Sequence, residues 1–357
     1  MATTSYGISP ESRASLYQFF RRQFLVTPLP VTTSDADLHG QTAIITGGNG
    51  GIGLETARQL LALGCEVILA VRDEEKGHRA RQILMDKGHF PSSSIRVWPL
   101  DLARTDSITA FAERCKKLER LDIAILNAGL YKIFESFSTT GYEEGVQINY
   151  LSNALLLLLL LPIMKIKTAE LGTPGRICLV SSDVAAWCKF DERNADPILP
   201  TFKRPMRPHF DNAERYGTTK LMGQMLVSEL AKRIPSSTVT LSCANPGLCG
   251  GTELGRESTG LFRFVSQLAL IAVSRAPSIG ARTIVHAVTT LGEHAHGEYV
   301  EDGKIQPMAP LVDTSEGAAA ANSLYGETLN ELSFAGVHEI VEAVAHDGKI
   351  KVQGATI

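Results

Sequence analysis

The chain has 357 residues, 44% of them apolar, which is enough to bury a large core, and its formal net charge is −3. Neither half is strongly basic, so nucleic acid is excluded as an expected partner. The length fits two domains or one doubly wound α/β sheet. Six cysteines, at 65, 115, 178, 188, 243 and 249, show no CxxC pairing, and there is no Asn-x-Ser/Thr sequon; a reducing, cytoplasmic compartment is expected.

Residues 1–39 read as an N-terminal extension. Its stretch 16–25 is amphipathic but interrupted by Arg21 and Arg22, and no basic n-region precedes it, so it is not expected to be a signal peptide. Strands and helices then alternate. A strand over 41–45 leads into Thr46-Gly-Gly-Asn-Gly-Gly-Ile-Gly53 and a helix over 54–63. That order suits a diphosphate: glycines let the backbone approach phosphate oxygens, and the helix N-terminus supplies free N–H groups. Further strands are expected at 65–71, 95–100, 121–126, 176–181 and 238–244. Helices are expected at 73–87, 108–118, 142–164 and 216–233. Continuous β-branched runs between helical patterns predict a parallel sheet covered on both faces, a single doubly wound Rossmann-type α/β domain.

Within 142–164 lie seven consecutive leucines, 155–161. The apolar run is too short to span a bilayer, which takes roughly 20 residues, and reads as a helix buried against the sheet and a partner subunit. The apolar stretch 261–273 is the one place where peripheral membrane contact is an alternative reading. A Pro-rich insertion occupies about 187–212, its basic cluster Lys203, Arg204 and Arg207 reading as a solvated loop. The tail 301–357, expected to pack on the same domain, holds one predicted helix, 327–345. His294 and His296 form the one close histidine pair and read as loop residues rather than a metal site.

The glycines at 47, 51 and 53 are spaced G-x-x-x-G-x-G, preceded by Thr46. This resembles the first turn of the short-chain dehydrogenase/reductase family, and further marks of that family follow in order. Asp101-Leu102 follows the third strand. Leu126-Asn127-Ala128-Gly129 ends the fourth and departs from the family's N-N-A-G only at its first position. Asn149, Ser182 and Tyr216-Gly-Thr-Thr-Lys220 match the catalytic tetrad, and Asn245-Pro246-Gly247 matches the nicotinamide loop. The resemblance covers roughly 40–300. It implies Asn149, Ser182, Tyr216 and Lys220 as catalytic residues. It also implies cofactor contacts from Thr46, Gly47, Asn49, Gly51, Ile52, Gly53, Arg72, Asp101, Leu102, Asn127, Ala128, Gly129, Tyr216, Lys220, Pro246, Gly247 and Thr252. The long insertion, the N-terminal extension and the tail resemble the retinol-dehydrogenase-like branch and fungal secondary-metabolite tailoring reductases.

Tyr216 and Lys220 stand four apart on a helix, so both project from one face. An ammonium beside a phenol favours the phenolate, so Lys220 is expected to lower the Tyr216 pKa. By the resemblance, Lys220 also holds the nicotinamide ribose, Ser182 bonds the substrate oxygen, and Asn149 anchors a water leading to the lysine. Arg72, just past the second strand, can meet a ribose 2′-phosphate, so NADP(H) is expected over NAD(H), with Asp73 next door as the countervailing feature. The insertion, carrying Trp187, Phe190, Phe202 and Phe210, is expected to wall a pocket for a lipophilic small molecule. The resemblance implies a homodimer paired through the helices holding Asn149 and Tyr216. Non-redox chemistry on the same cofactor site, or non-catalytic nucleotide sensing, are the alternative functions.

Overall fold

The computed structural model describes residues 6–251 and 273–345, with two short strands at 351–352 and 355–356. Among these residues the main sheet has eight strands in the order β3-β2-β1-β4-β5-β6-β7-β8. In chain order, β1 is Thr42–Thr46, β2 Glu66–Val71, β3 Ile95–Pro99, β4 Ile123–Leu126, β5 Gly175–Val180, β6 Val239–Asn245, β7 Glu298–Glu301 and β8 Lys304–Gln306. The first seven run parallel and β8 returns antiparallel on β7. The sheet leaves β1 towards β2 and β3, then restarts on the other side of β1 at β4. The carboxyl ends Thr46 and Leu126 therefore flank a topological switch point, where open α/β sheets hold their ligands.

Helices α1 (Pro10–Arg13) and α2 (Leu16–Leu25) precede the sheet; α3 (Gly51–Ala62), α4 (Glu74–Gly88), α5 (Thr105–Lys116), α6 (Asn153–Leu171) and α7 (Asn212–Ala231) connect its strands. Successive strand residues serve opposite faces. Ala43 and Ile45 of β1 join Leu60 of α3 and Leu84 of α4, together with Ile284 and Val285 from α8 (Pro277–Val288). Ile44 joins the other layer, with Phe111 of α5, the leucines of α6, and Met222 of α7.

Several expectations are revised. The long helix begins as a π-helical segment, Val146–Ser152, and runs past Pro162 to Leu171. Among the described residues the tail holds two α-helices, α9 (Ser315–Glu331) and α10 (Val337–Ala345), rather than one across 327–345. Gly336, at φ 67°, supplies the left-handed break between them. Strands β7 and β8 and helix α8 escape the sequence pattern: β7 and β8 are four and three residues long, below the length at which periodicity is readable.

The leucine run is buried as expected, but the cover comes from this chain's own tail. Leu156, Leu158, Leu160 and Leu161 are fully buried. Lys165 Nζ on α6 donates to the Ala343 carbonyl on α10 at 2.7 Å, and Tyr150 shares a 2.7 Å hydrogen bond with Thr328 on α9. On α7, Gln224 accepts the Ala309 N–H at 2.8 Å. Among the described residues no helix is long and apolar enough to cross a membrane; the stretch 261–273 lies outside them but for Val273.

Candidate active site

The glycine turn lies where β1 meets β2, the Gly47 N–H donating to the Ala70 carbonyl at 2.9 Å. Gly47 and Gly51 have φ of 66° and 51°, a left-handed backbone that other residues rarely adopt. Gly53 is needed for closeness: a Cβ there would stand 2.5 Å from the Gly47 carbonyl oxygen and 2.7 Å from Asn127 Nδ2. Asn127 in turn donates from Nδ2 to the Thr46 carbonyl at 2.8 Å, and the Ala128 N–H donates to Thr46 Oγ1 at 2.8 Å. Thr46, Asn127 and Ala128 thus lock β1 to β4 across the switch point. Helix α3 starts at Gly51 with no side-chain cap on Gly50, while α4 and α7 are capped by Asp73 and Asp211. Uncapped N–H groups beside paired glycines fit a phosphate.

Asn49 and Ile52 are half-buried beside the turn, Arg72 is exposed just past β2, and Asp101 is half-buried past β3. The Asp73 carboxylate accepts the Lys76 N–H at 3.0 Å and is occupied as a helix cap. The Leu102 side chain is buried in the core and its carbonyl accepts from Ser152 Oγ at 2.6 Å. Thr252 lies outside the described residues.

The π-helical segment places Asn149, and π-turns recur at functional sites. Its Oδ1 accepts the Leu130 N–H at 2.8 Å and its Nδ2 donates to the Leu130 carbonyl at 2.9 Å and to Thr219 Oγ1 at 3.2 Å. The side-chain amide therefore clamps the backbone after Gly129. Gly129 permits this: a Cβ would sit 3.0 Å from Asn149 Oδ1 and 3.7 Å from Lys220 Nζ. Lys220 is buried and donates to the Val180 carbonyl, at the end of β5, at 2.8 Å. Burial pushes its pKa down to about 8.

Tyr216 is half-buried, with Lys220 Nζ 5.6 Å from its ring centroid and the Tyr131 ring packed edge-on at 5.2 Å. The expected lowering of its pKa is not what this geometry produces. Burial, with the Tyr131 phenol adding to it, raises the Tyr216 pKa. Of the serine pair, Ser181 is buried and accepts from Gln224 Nε2 at 2.9 Å. Ser182 is half-buried and opens the 3-10 turn Asp183–Ala186. This turn lies directly on α7, where a Cβ at Gly217 would be 2.7 Å from the Val184 carbonyl oxygen.

The insertion does not present all four aromatics to a ligand. Phe190 and Phe202 are fully buried and stacked at 6.4 Å, and the Arg215 guanidinium lies 4.6 Å from the Phe202 ring. Trp187 packs edge-on against Phe19 of α2 at 5.1 Å and donates to the Ala14 carbonyl at 2.7 Å. Phe210 lines a shallow hollow beside Tyr216, Asn149 and Leu130, shared with Lys132, Glu143 and Arg215.

At the carboxyl ends of β5, β6 and β7 the structure places a charged cluster that sequence reading missed. Arg22 of α2 pairs with Asp183 through Nη2 at 2.9 Å and with Glu301 through Nε at 2.9 Å; Arg13 of α1 pairs with Glu301 at 3.3 Å. Asn245 Nδ2 donates to Glu301 at 2.8 Å, and Asn245 Oδ1 accepts the Gly247 N–H at 3.0 Å. Burial raises the Glu301 pKa to about 7, Asp183 adding to the rise and both arginines opposing it. Arg21 and Arg22 signalled only that the segment was no leader, because contacts some 160 or more residues apart leave no local pattern.

A doubly wound parallel sheet with a glycine cradle at its switch point defines a nucleotide-cofactor-binding α/β protein. The family model for short chain dehydrogenases matches residues 41–189. The short-chain dehydrogenase fogG of Aspergillus ruber is 52% identical over 96% of this chain and 99% of its own length. The short chain dehydrogenase/reductase mfmJ of Annulohypoxylon moriforme is 40% identical over 92% of this chain and 94% of its own. The fold is also that of an uncharacterized Mycobacterium paratuberculosis protein, at a TM-score of 0.60 and 23% identity over 85% of this chain and 98% of that one. The chain belongs to the short-chain dehydrogenase/reductase family, and it is an NAD(P)-linked oxidoreductase.

Proposed function

We propose that the protein reduces a carbonyl of a lipophilic small molecule with NADPH, as a tailoring step in secondary-metabolite biosynthesis. The observation that carries this reading is the convergence of Tyr216, Lys220 and the Leu130 backbone clamped by Asn149 beside the glycine cradle. Bound at the cradle, the nicotinamide cofactor supplies the hydride. Tyr216, protonated at neutral pH, donates its phenolic proton to the carbonyl oxygen as charge develops there. Lys220 then faces the phenolate that donation leaves, and Ser182 hydrogen-bonds the same oxygen. Phe210 and Leu130 are the apolar groups beside Tyr216 that a lipophilic substrate would meet, next to Lys132, Glu143 and Arg215.

The 2′-phosphate reading is supported by Arg72, exposed past β2, and by Asp73, whose carboxylate is committed to capping α4. Residues 1–39 and 301–357 act in this reading as extensions of one domain spanning 40–300. Helices α6 and α7, through which the family resemblance implies a homodimer, also carry the chain's own tail.

Two variants test the proposal. Replacing Tyr216 with Phe should cut NADPH-dependent turnover of a lipophilic ketone by roughly 10²–10⁴-fold and leave NADPH binding intact; unchanged turnover refutes the mechanism. Arg72→Asp should weaken NADPH binding and spare NADH. If neither affinity moves, the cofactor assignment is wrong.

A further inference from the structure

We infer that the N-terminal helical hairpin is a working part of the active site, in which Arg22 is a positioning residue for both Ser182 and the Pro246-Gly247 loop. The inference rests on the reading above, in which Ser182 meets the substrate and that loop meets the nicotinamide. One guanidinium spans the two. Its Nη2 donates to Asp183, the residue after Ser182, and its Nε pairs by charge with Glu301, which accepts from Asn245, which in turn accepts the Gly247 N–H; Arg13 lies against the same two carboxylates, at 3.9 and 3.3 Å. Arg22 is itself fixed, donating from Nη1 to the Arg13 carbonyl at 2.9 Å, and its own carbonyl accepts from Arg275 Nη2.

The neighbouring Gln23 completes the attachment. Its Nε2 donates to the Leu248 carbonyl at 2.8 Å and the Val273 carbonyl at 2.9 Å, and its Oε1 accepts the Leu248 N–H at 3.3 Å. Gly247 leaves the room: a Cβ there would stand 3.2 Å from Gln23 Oε1 and 3.3 Å from Arg275 Nη1. Arg13, Asp183, Glu301 and Gln23 are all buried. A surface strap would not require the directional bonds that Arg22 makes to Asp183 and buried Gln23 makes to the Leu248 backbone, on the two stretches that flank the reacting groups. A planar fork holding two carboxylates at a fixed separation is a task a lysine cannot reproduce.

The test uses the full-length protein, titrated with NADPH by fluorescence and assayed for NADPH oxidation with 9,10-phenanthrenequinone as the probe carbonyl. Arg22→Gln should lower kcat and raise the KM for NADPH, together by about 10- to 100-fold in kcat/KM, the cost of a misplacement near 1 Å. Asp183→Asn, which releases the Ser182 side alone, should lower kcat with the NADPH KM unchanged. Gln23→Leu, which releases the loop alone, should raise that KM with kcat unchanged. Arg22→Lys should rescue only part of the loss. Because a lone buried charge can unfold the protein, the paired Arg22→Gln/Asp183→Asn variant restores charge balance. It should regain thermal stability without regaining kcat/KM.

Wild-type protein that fails to bind NADPH would sink the cofactor reading itself. Wild-type binding with kcat and KM within twofold in all variants would overturn the positioning role alone. So would losses in kcat/KM that are restored together with stability in the paired variant.

Discussion

At the scale of single residues, the chemistry of this site is set by what surrounds each group rather than by the group itself. Tyr216 and Lys220 are both moved by burial, in opposite protonation senses, towards their neutral forms. For Lys220 the folded value of about 8 lies below the ordinary 10.5, so the unfolded chain binds the proton more tightly. Stability from this group is therefore least below about pH 8 and rises with pH between about 8 and 10.5. Urea unfolding of the parent and of Lys220→Met at pH 7.5 and 9.5 checks this. The parent should gain stability relative to the variant at the higher pH, by on the order of 1–3 kcal/mol. A gap independent of pH would show that Lys220 is not desolvated as described.

At the scale of elements, glycines decide how closely parts of the site approach. The Tyr216–Lys220 motif contains Gly217, against which the turn after Ser182 is laid. The nearest atom there is the Val184 backbone carbonyl, which cannot swing aside as a long side chain would. Gly217→Ala should cost about 1–3 kcal/mol through overpacking. It should also depress activity beyond the stability loss, because the turn carrying Ser182 must shift. Thermal melts and turnover together check this, and a variant as stable and active as the parent would refute the contact. The glycine cradle, the serine pair and the Tyr216–Lys220 motif were legible in the sequence because each is a short local pattern with its own punctuation. Residues 187–212 were legible only as an insertion. Which of their aromatics face the site depends on Glu214 holding the Lys189 and Phe190 N–H groups and Glu327 holding those of Ile198 and Leu199.

At the scale of the whole molecule, both ends of the described chain return to the sheet. Helices α9 and α10 cover the apolar faces of α7 and α6, and α1 and α2 cover the carboxyl ends of β5–β7. Removing residues 309–357 should expose the leucine face of α6 and leave a protein that aggregates or self-associates. Sedimentation and dye binding read this directly. A truncated chain that stays monomeric with an unchanged melting temperature would contradict the packing.

Repeated apolar runs, separated by helical periods and punctuated by Gly, Asn and Ser at the strand ends, determined the fold class and the composition of the cradle and its neighbours. Those features are encoded within windows of a few residues, where backbone sterics and hydrophobic period act directly. Tertiary structure alone decided that the tail, not a second subunit, buries the leucines of α6. It also decided that Asn149 spends its amide on Leu130, and that Arg22 reaches Asp183 and Glu301. Such pairings depend on distances closed by the sheet between residues far apart in the chain, and no local pattern records them.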